Sequence, residues 1–339
     1  MEAIVLSKIA ESIPEGIDSL ELREAEKKSL APTEVRIKVR AAALNFFDLL
    51  ILVGKYQHRA ELPHVPGSEA AGVICEVGSE AGPWRMGDEV MFLTQGGGGL
   101  QSHVVTDVTT PHALFPKPAL FSFAEAAGFP VGFMTGYHGL VQRGHLKAGE
   151  VLLVTGAAGG MSLAAIQLGR ALGATVVAAA SSAGKLEQAR RAGAHHVVNY
   201  QEESLKARVE EITGGAMADV CYEVVGGKVF KECVRCMASN GRLLVVGFAS
   251  GEIPSLPANL VLIKGFQLVG VRSGAEMLLN PDKAAELWAQ MRLLTRDRLL
   301  APVVRQWPTE GFKDAFRSLW ERRIIGKAIV LWNQSSAKL

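Results

Sequence analysis

A glycine-rich turn is the feature of this sequence with the clearest chemistry. The residues TGAAGGMS (155–162) follow a strand-like segment, EVLLVTG (150–156), and open a helical one. Backbone N–H groups in such a turn can approach a pyrophosphate, and a helix N-terminus adds partial positive charge. The spacing is not GxGxxG, because the glycines are Gly156, Gly159 and Gly160. Ser162 stands where a third, packing glycine is expected, and either crowds the helix or offers the pyrophosphate a hydroxyl donor. A dinucleotide site is favoured over a purely structural turn, since strands and helices alternate beyond it.

The next strand carries the residues that would choose between the two nicotinamide dinucleotides. NAD sites place Asp or Glu at its end, to accept a hydrogen bond from the ribose 2′-hydroxyl. Here TVVAAA (175–180) runs into SSAGK, without a carboxylate. Ser181 and Ser182 can hydrogen-bond a 2′-phosphate and Lys185 can pair with it, which favours NADP(H). The alternative is that Lys185 is a solvated lysine at a helix start. Tyr200, ending the third strand, could lie beside the adenine or the 2′-phosphate, or simply pack.

Two patterns along the chain indicate two domains. Up to about residue 125, short β-branched segments alternate with Gly and Pro, which predicts a compact, mostly β domain. Strands alternating with helices follow, as in βαβ units on a parallel sheet. A last strand, GKAIVLW (326–332), could return to the first domain. The predicted fold is α/β: a doubly wound parallel sheet (126–270) inserted in a mostly β domain (1–125 plus 271–339).

Composition excludes several classes of protein. The 339 residues suit two domains, because single cores stop growing at about 250–300 residues. A net charge of +2 and 48% hydrophobic residues describe a folding globule, with neither nucleic acid nor an anionic membrane as an obvious partner. No apolar stretch approaches the roughly 20 residues that cross a bilayer. Four cysteines, and a start that lacks a secretory signal, predict a reducing cytoplasm.

A set of segments spread over nearly the whole chain carries a family resemblance. The segments are AALNFFDLLILVGKY (42–56), PHVPGSEAAGVICEVG (63–78), GDEVMF (87–92), FMTGYHGL (133–140), the glycine turn, GAHHVVNY (193–200), GRLLVVGFASG (241–251) and GKAIVL (326–331). In this order they resemble the zinc-free quinone oxidoreductase, or zeta-crystallin-like, branch of the medium-chain dehydrogenase/reductase superfamily. The resemblance implies a GroES-like catalytic domain built from both chain ends, an inserted Rossmann domain that binds NADPH, and a homodimer joined through the Rossmann sheets.

The resemblance also implies a catalytic site without a metal. Zinc relatives carry a Cys and a Gly-His-Glu, which here match Asn45 and the run Gly67, Ser68 and Glu69. Asn and Ser are poor zinc ligands, and without zinc an activated acceptor is an easier substrate than an alcohol. Asn45 and Tyr56 match positions near the nicotinamide. Asn45 can donate or accept through its amide, and Tyr56 is expected as a proton donor or as a wall of the site.

Other matched positions receive supporting roles. Asp48 and Lys327 recur in the family, and a structural role is expected for both. Thr135 resembles a residue that approaches the cofactor, while Gly247 and Phe248 lie where the family lets the chain pass the nicotinamide. The residues expected to bind the cofactor are Thr135, Gly156, Ala157, Gly159, Gly160, Met161, Ser181, Lys185, Tyr200, Gly247 and Phe248.

Sequence and resemblance together predict an NADPH:quinone oxidoreductase-like enzyme that reduces quinones or related α,β-unsaturated carbonyls by hydride transfer. No metal is expected, since Cys233 and Cys236 form a lone CxxC in a helical stretch where packing is favoured. One alternative is an enoyl-thioester (enoyl-CoA) reductase, which would need a basic path for coenzyme A or carrier phosphates. The other is a non-catalytic NADPH-binding redox sensor or structural protein. The expected partners are a small quinone or enone and a second copy of the chain, with no nucleic acid and no membrane.

Overall fold

The computed structural model describes residues 1–57, 59–94, 96–110, 114–297 and 299–332. The chain forms two compact units, one from Met1–Val131 with the segment that begins at Ala301, the other from Gly132–Leu300. The second boundary follows residue 300, where the sequence suggests 270, because the helices between these positions belong to the inserted unit. Residues 333–339, assigned to the first domain from sequence, lie outside the described part. Within the described ranges, no helix has both the length and the apolarity needed to span a membrane.

The N-terminal segment of the first unit is mostly β. Its elements are β1 (Glu2–Val5), α1 (Ile13–Ser19), β2 (Glu21–Glu24), β3 (Glu34–Leu44), α2 (Phe46–Leu52), β4 (Glu69–Val77), β5 (Glu89–Leu93), β6 (His103–Asp107), β7 (Leu114–Pro116) and α3 (Phe123–Ala127). Alternating β-branched residues in β3 suit a pleated strand, and Val35, Ile37 and Val39 are buried in the core of this unit.

The inserted unit alternates strands and helices. After α4 (Pro130–Tyr137) and a π-helix (His138–Arg143), its elements are β8 (Val151–Val154), α5 (Gly160–Ala171), β9 (Thr175–Ala180), α6 (Ala183–Arg191), β10 (His196–Asn199), α7 (Leu205–Ile212), β11 (Ala218–Glu223), α8 (Gly227–Cys236), β12 (Met237–Val245), α9 (Ala258–Lys264), β13 (Gln267–Gly270), α10 (Ser273–Leu279) and α11 (Pro281–Asp297). The described strands pair in parallel in the order β10-β9-β8-β11-β12-β13. This is the doubly wound order, with a switch point between β8 and β11. The predicted fold class is thereby confirmed.

Apolar strands and small residues allow helices to pack closely on the parallel sheet. The strand TVVAAA of β9 is buried from Val176 to Ala180, as expected for a parallel strand with helices on both sides. A side chain on Gly169 of α5 would lie 2.4 Å from Leu152 of β8, so glycine is what lets helix and strand approach this closely. The glycine turn sits between these two elements and is therefore rigidly supported.

The C-terminal segment returns to the first unit. It contains β14 (Val304–Pro308), a 3-10 turn (Thr309–Gly311), α12 (Phe312–Trp320) and β15 (Lys327–Leu331). The sheet of this unit has the order β14-β15-β3-β4-β5-β7, with β6 also paired to β3. Ala328 pairs with Leu44, and Ala43 pairs with Glu69. These registers bring Lys327, Asn45 and Glu69 to the same end of three neighbouring strands.

Candidate functional site

The glycine turn follows β8 at the carboxyl edge of the parallel sheet. Gly156 adopts φ +57°, a left-handed conformation, and a Cβ there would lie 2.9 Å from Val224 Cγ2. Its carbonyl accepts from Ala158 N at 2.7 Å and from Gly159 N at 3.0 Å. The N–H of Ala157 donates to Ala179 O at 3.1 Å, so this predicted cofactor residue uses its N–H within the fold. The turn is tight because of Gly156, as the sequence suggests.

The first turn of α5 presents backbone donors. Gly159 is the N-cap in an extended conformation, and no described side chain caps the helix. The N–H groups of Gly160 and Met161 thus lack an intrahelical acceptor, as at any α-helix start. Ser162 is fully buried and donates to Thr155 O at 2.7 Å, so it fastens the turn instead of facing a phosphate. An uncapped helix start behind a glycine turn fits the pyrophosphate of a dinucleotide.

The residues expected to choose the dinucleotide meet at the end of β9. Lys185 Nζ donates to Ser181 Oγ at 3.4 Å, one helical turn into α6, and both side chains are half-buried. Ser182 is the N-cap of α6, and its side chain makes no capping bond. Tyr200 donates its N–H to Ala180 O at 3.2 Å and packs against the core of the inserted unit. An ammonium beside the Ser181 hydroxyl suits a phosphate, whereas Tyr200 fits the packing alternative better.

A buried carboxylate at the switch point was not anticipated from sequence. Glu223, the last residue of β11, is fully buried and accepts from Val225 N at 2.8 Å and from Thr155 Oγ1 at 3.2 Å. It also accepts from Gly226 N at 3.0 Å. Burial raises the pKa of Glu223, and these hydrogen bonds oppose the rise. Glu223 ends a strand three residues before the pair Gly226 and Gly227, and this pattern is the sequence signal that could have identified the carboxylate.

The loop after β12 lies beside the same edge. Ala249 N donates to Val224 O at 2.9 Å, and a Cβ on Gly247 would lie 3.6 Å from that oxygen. Phe248 lies 3.2 Å from the position a Cβ would take on Gly226. The structure therefore brings Gly247 and Phe248 next to the loop that follows Glu223.

Thr135 lies in α4, between Gly132 and Gly136, the two glycines at which that helix packs against α5. A Cβ on Gly132 would lie 3.4 Å from Gly160 O, which shows how closely α4 passes the start of α5. The buried hydroxyl of Thr135 hydrogen-bonds Ser273 Oγ at 2.7 Å. Ser273 lies 138 residues further along the chain. Like Glu223, it is a residue that the sequence motifs did not single out.

Four polar residues form a buried cluster in the first unit, which we call the Asn45 cluster: Asn45, Asp48, Glu69 and Lys327. Asn45 Nδ2 donates to Glu69 Oε1 at 3.0 Å, and Lys327 Nζ donates to Asn45 Oδ1 at 2.6 Å. Lys327 also forms an ion pair with Glu69. The side-chain amide of Asn45 is thus held between a cation and an anion.

Asp48 is the second carboxyl group of the Asn45 cluster. Its carboxylate accepts from Asn45 N at 2.7 Å and from Gly67 N at 3.3 Å. Burial nevertheless raises its pKa from 3.8 to about 7, although both hydrogen bonds and Lys327 lower it. The carboxyl group therefore ties α2 to the loop before β4 and titrates near neutrality.

Tyr56 lies beyond α2, half-buried. Its ring stacks on that of Phe47, with centroids 5.2 Å apart and an angle of 21° between planes. Stacking on Phe47 fixes the orientation of the Tyr56 ring, and the phenol hydroxyl lies at the edge of the stacked pair. Both roles expected for Tyr56 are compatible with this placement.

The cysteines lie away from the Asn45 cluster and carry free thiols. Cys233 and Cys236 of α8 are buried in the core of the inserted unit together with Cys221, and burial raises the pKa of Cys236. The packing interpretation of the CxxC thus fits the structure. In the described part of the chain, no group of three or more His, Cys, Asp or Glu side chains is arranged to hold a metal ion.

Comparison with known proteins gives the class to which this fold and site belong. A family described as "Alcohol dehydrogenase GroES-like domain" matches residues 31–119, and one described as "Zinc-binding dehydrogenase" matches residues 160–292. The chain is 36% identical to a quinone oxidoreductase-like protein 2 homolog of Nematostella vectensis, over 89% of this chain and 83% of that protein. It belongs to the quinone oxidoreductase-like branch of the medium-chain dehydrogenase/reductase superfamily, as the sequence motifs indicate.

Solved structures agree with this assignment. The quinone oxidoreductase of Escherichia coli complexed with NADPH has a TM-score of 0.87, at 26% identity, over 98% of this chain and 100% of that one. The CurK enoyl reductase has a TM-score of 0.86, at 25% identity, over 97% of this chain and 99% of that one. The expected GroES-like and Rossmann domains are therefore confirmed, and both kinds of reductase share the fold.

Proposed function

We propose that this protein is an NADPH-dependent reductase that transfers hydride to quinones or related α,β-unsaturated carbonyls without zinc. The observation that carries the proposal is the cofactor edge of the inserted unit. There a glycine turn and the uncapped start of α5 follow β8, while Lys185 and Ser181 meet at the end of β9. The first pair fits a pyrophosphate, and the second fits a 2′-phosphate.

The choice of NADPH over NADH depends on the end of β9. A carboxylate there would accept from a ribose 2′-hydroxyl and repel a phosphate, and the chain has Ser181 and Ser182 instead. Lys185 adds a cation held 3.4 Å from Ser181 Oγ. The likeness to a quinone oxidoreductase solved with NADPH supports the same choice.

Asn45 and Tyr56 are the residues of the chain that we assign to the reaction. The nicotinamide supplies a hydride when it is bound, and an activated carbonyl acceptor needs alignment and stabilisation of its developing oxyanion. Asn45 supplies a neutral N–H donor for that oxygen, and the ring of Tyr56 limits the space beside it. The phenol of Tyr56 can give a proton to the reduced acceptor. Asn45 and Ser68, at the two matched zinc-ligand positions, support a reaction without zinc.

Enoyl-thioester reduction is the second candidate, favoured by the likeness to CurK enoyl reductase. It uses the same hydride donor and the same oxyanion donor, and differs in the acceptor. Steady-state oxidation of NADPH and of NADH against 1,4-benzoquinone, 9,10-phenanthrenequinone, a small enone and crotonyl-CoA separates the candidates. We expect quinone or enone turnover with NADPH at least tenfold preferred. Turnover of crotonyl-CoA alone would favour the thioester, and NADPH binding without turnover would leave a non-catalytic sensor.

We also propose a homodimer and a cytoplasmic, reducing location. In the described part of the chain, β13 pairs only with β12, and Leu268 of this edge strand is 46% exposed. Leu262 and Ile263 of α9 are 81% and 74% exposed, so the edge is flanked by apolar surface. The free thiols of all four cysteines suit a reducing compartment. Light scattering on the purified chain tests the dimer: Leu268→Lys should shift the mass to that of a monomer, and an unchanged mass would rule out this edge.

A further inference from the structure

The side-chain amide of Asn45 is held between two opposite charges. Its carbonyl oxygen Oδ1 accepts from the Lys327 ammonium at 2.6 Å, and its Nδ2 donates to the Glu69 carboxylate at 3.0 Å. Asn45 is 6% exposed, Lys327 5% and Glu69 0%, so water screens these contacts little. Both charges therefore act on the amide with little screening by water.

This arrangement fixes which end of the amide faces which charge. Rotating the amide by half a turn would bring its N–H groups against the ammonium and its oxygen against the carboxylate. Both contacts would then be repulsive in a buried site. In the fixed orientation Oδ1 is bound to Lys327 and one hydrogen of Nδ2 to Glu69. The second hydrogen of Nδ2 has no partner among the described residues.

The two charges are themselves fixed by the backbone. The second oxygen of Glu69, Oε2, accepts from Val131 N at 2.7 Å. Lys327 is the first residue of β15, and its Cβ lies 3.3 Å from the position that a Cβ would take on Gly128, so the lysine stem passes close to the backbone that ends α3. The Glu69 carboxylate is thus held by a backbone N–H as well as by the amide, and it cannot follow a rotating amide.

We propose that Lys327 and Glu69 are a positioning pair for Asn45, which makes its amide a donor and never an acceptor toward the substrate. The ammonium also draws electron density from the amide oxygen, which strengthens the remaining N–H as a donor to a developing oxyanion. Lys327 thereby acts on the reaction through Asn45, beyond the structural role expected from sequence. The part that concerns substrate rests on the proposed function.

A double-mutant cycle tests the coupling. Glu69→Gln with Lys327→Met removes both charges of the pair at once, so that neither is left buried without the other, while Asn45→Ala removes the amide. We expect Asn45→Ala to lower kcat with 9,10-phenanthrenequinone by about 10- to 100-fold in the natural background, with the KM for NADPH within about twofold. In the neutralised background the same change should lower kcat less than about twofold. An equal loss in both backgrounds would overturn the inference.

A matched control uses another ion pair of the same unit. Lys117, whose side chain is 6% exposed, pairs with Glu89 at 3.1 Å, outside the Asn45 cluster. Glu89→Gln with Lys117→Met should leave the loss caused by Asn45→Ala unchanged. A reduced loss in this control as well would mean that neutralising any ion pair blunts the effect, and the inference would fail.

A readout independent of turnover separates this inference from the proposed function. The two Nδ2 protons of Asn45 give a pair of amide NMR signals, which Asn45→Ala identifies by their absence. Neutralising Glu69 and Lys327 should shift the bonded proton upfield and speed its exchange, with no such change in the Lys117 control. If these shifts occur while no acceptor is reduced, the amide is positioned as inferred and the proposed function is wrong. Unchanged signals would refute the positioning whatever the activity.

Discussion

Asp48 should make the stability of the first unit fall as the pH rises. Burial raises the pKa of its carboxyl group from 3.8 to about 7. The folded chain therefore holds this proton more tightly than the unfolded chain does. Its contribution to stability is complete below about pH 4 and is lost as the pH rises through about 7. Asp48→Asn carries no titrating proton at this position, so it should lack this component of the pH dependence.

The size follows from the two pKa values. At about 1.4 kcal/mol for each pH unit, the full cost of ionising Asp48 in the folded state is about 4 kcal/mol. About 1.5 kcal/mol of it is already present at pH 5, because the carboxyl group is ionised in the unfolded chain there. The unfolding free energy of Asp48→Asn relative to the natural chain should thus rise by about 2.5 kcal/mol from pH 5 to pH 8. The substitution also removes one hydrogen-bond acceptor, and this lowers the unfolding free energy of the variant by an amount that does not change with pH.

The assay is urea unfolding followed by tryptophan fluorescence at both pH values. The first unit contains Trp84, Trp307, Trp320 and Trp332, and Trp288 belongs to the other unit. Trp288→Phe makes the signal specific for the unit that holds Asp48. Asp107→Asn is the control: hydrogen bonds from Thr109 lower the pKa of Asp107, so its contribution is constant between pH 5 and 8. A pH-independent difference for Asp48→Asn would show that Asp48 is already ionised at pH 5 in the folded chain.

Three further substitutions test the cofactor edge. Lys185→Ala should raise the KM for NADPH about 10- to 100-fold and leave that for NADH within about twofold. The exposed Lys206→Ala is its control, and equal effects on both cofactors would refute the phosphate contact. Ser162→Ala breaks the 2.7 Å bond to Thr155 O and should lower the unfolding free energy by about 1–2 kcal/mol, measured by urea unfolding; an unchanged value would contradict it. Gly156→Ala at φ +57° puts a methyl 2.9 Å from a valine methyl, so NADPH affinity measured by fluorescence titration should fall at least tenfold.

Contacts between residues near in sequence are the part of the site that sequence predicts well. The tight turn at Gly156 and the meeting of Ser181 with Lys185 both follow from a strand, a short turn and one helical turn. The fold class is similarly accessible, because alternating strands and helices permit few sheet orders. The position at which the inserted unit ends is harder to predict from sequence, since either unit could have accommodated the helices α10 and α11.

Contacts between residues far apart in sequence account for what was missed. Lys327 and Asn45 are 282 residues apart, and only the pairing of β15 with β3 brings them together. A structural role is expected for Lys327 because it matches a lysine that recurs in the family's closing strand, and the residues GKAIVL do not indicate its partner. Thr135 and Ser273 are likewise 138 residues apart. Burial and charge pairing of this kind depend on strand register, which a single sequence does not fix.

The return of β15 to the sheet sets the order in which the chain can complete its site during synthesis. The inserted unit, Gly132–Leu300, leaves the ribosome whole before β15 exists. Until Lys327 emerges, Glu69 lies in a partial sheet without the cation with which it forms an ion pair. A nascent chain that stops before residue 327 should therefore fold its nucleotide-binding half and leave the other half open. On the proposed function, the ability to bind a nicotinamide cofactor would then arise on the ribosome before the ability to reduce a substrate with it.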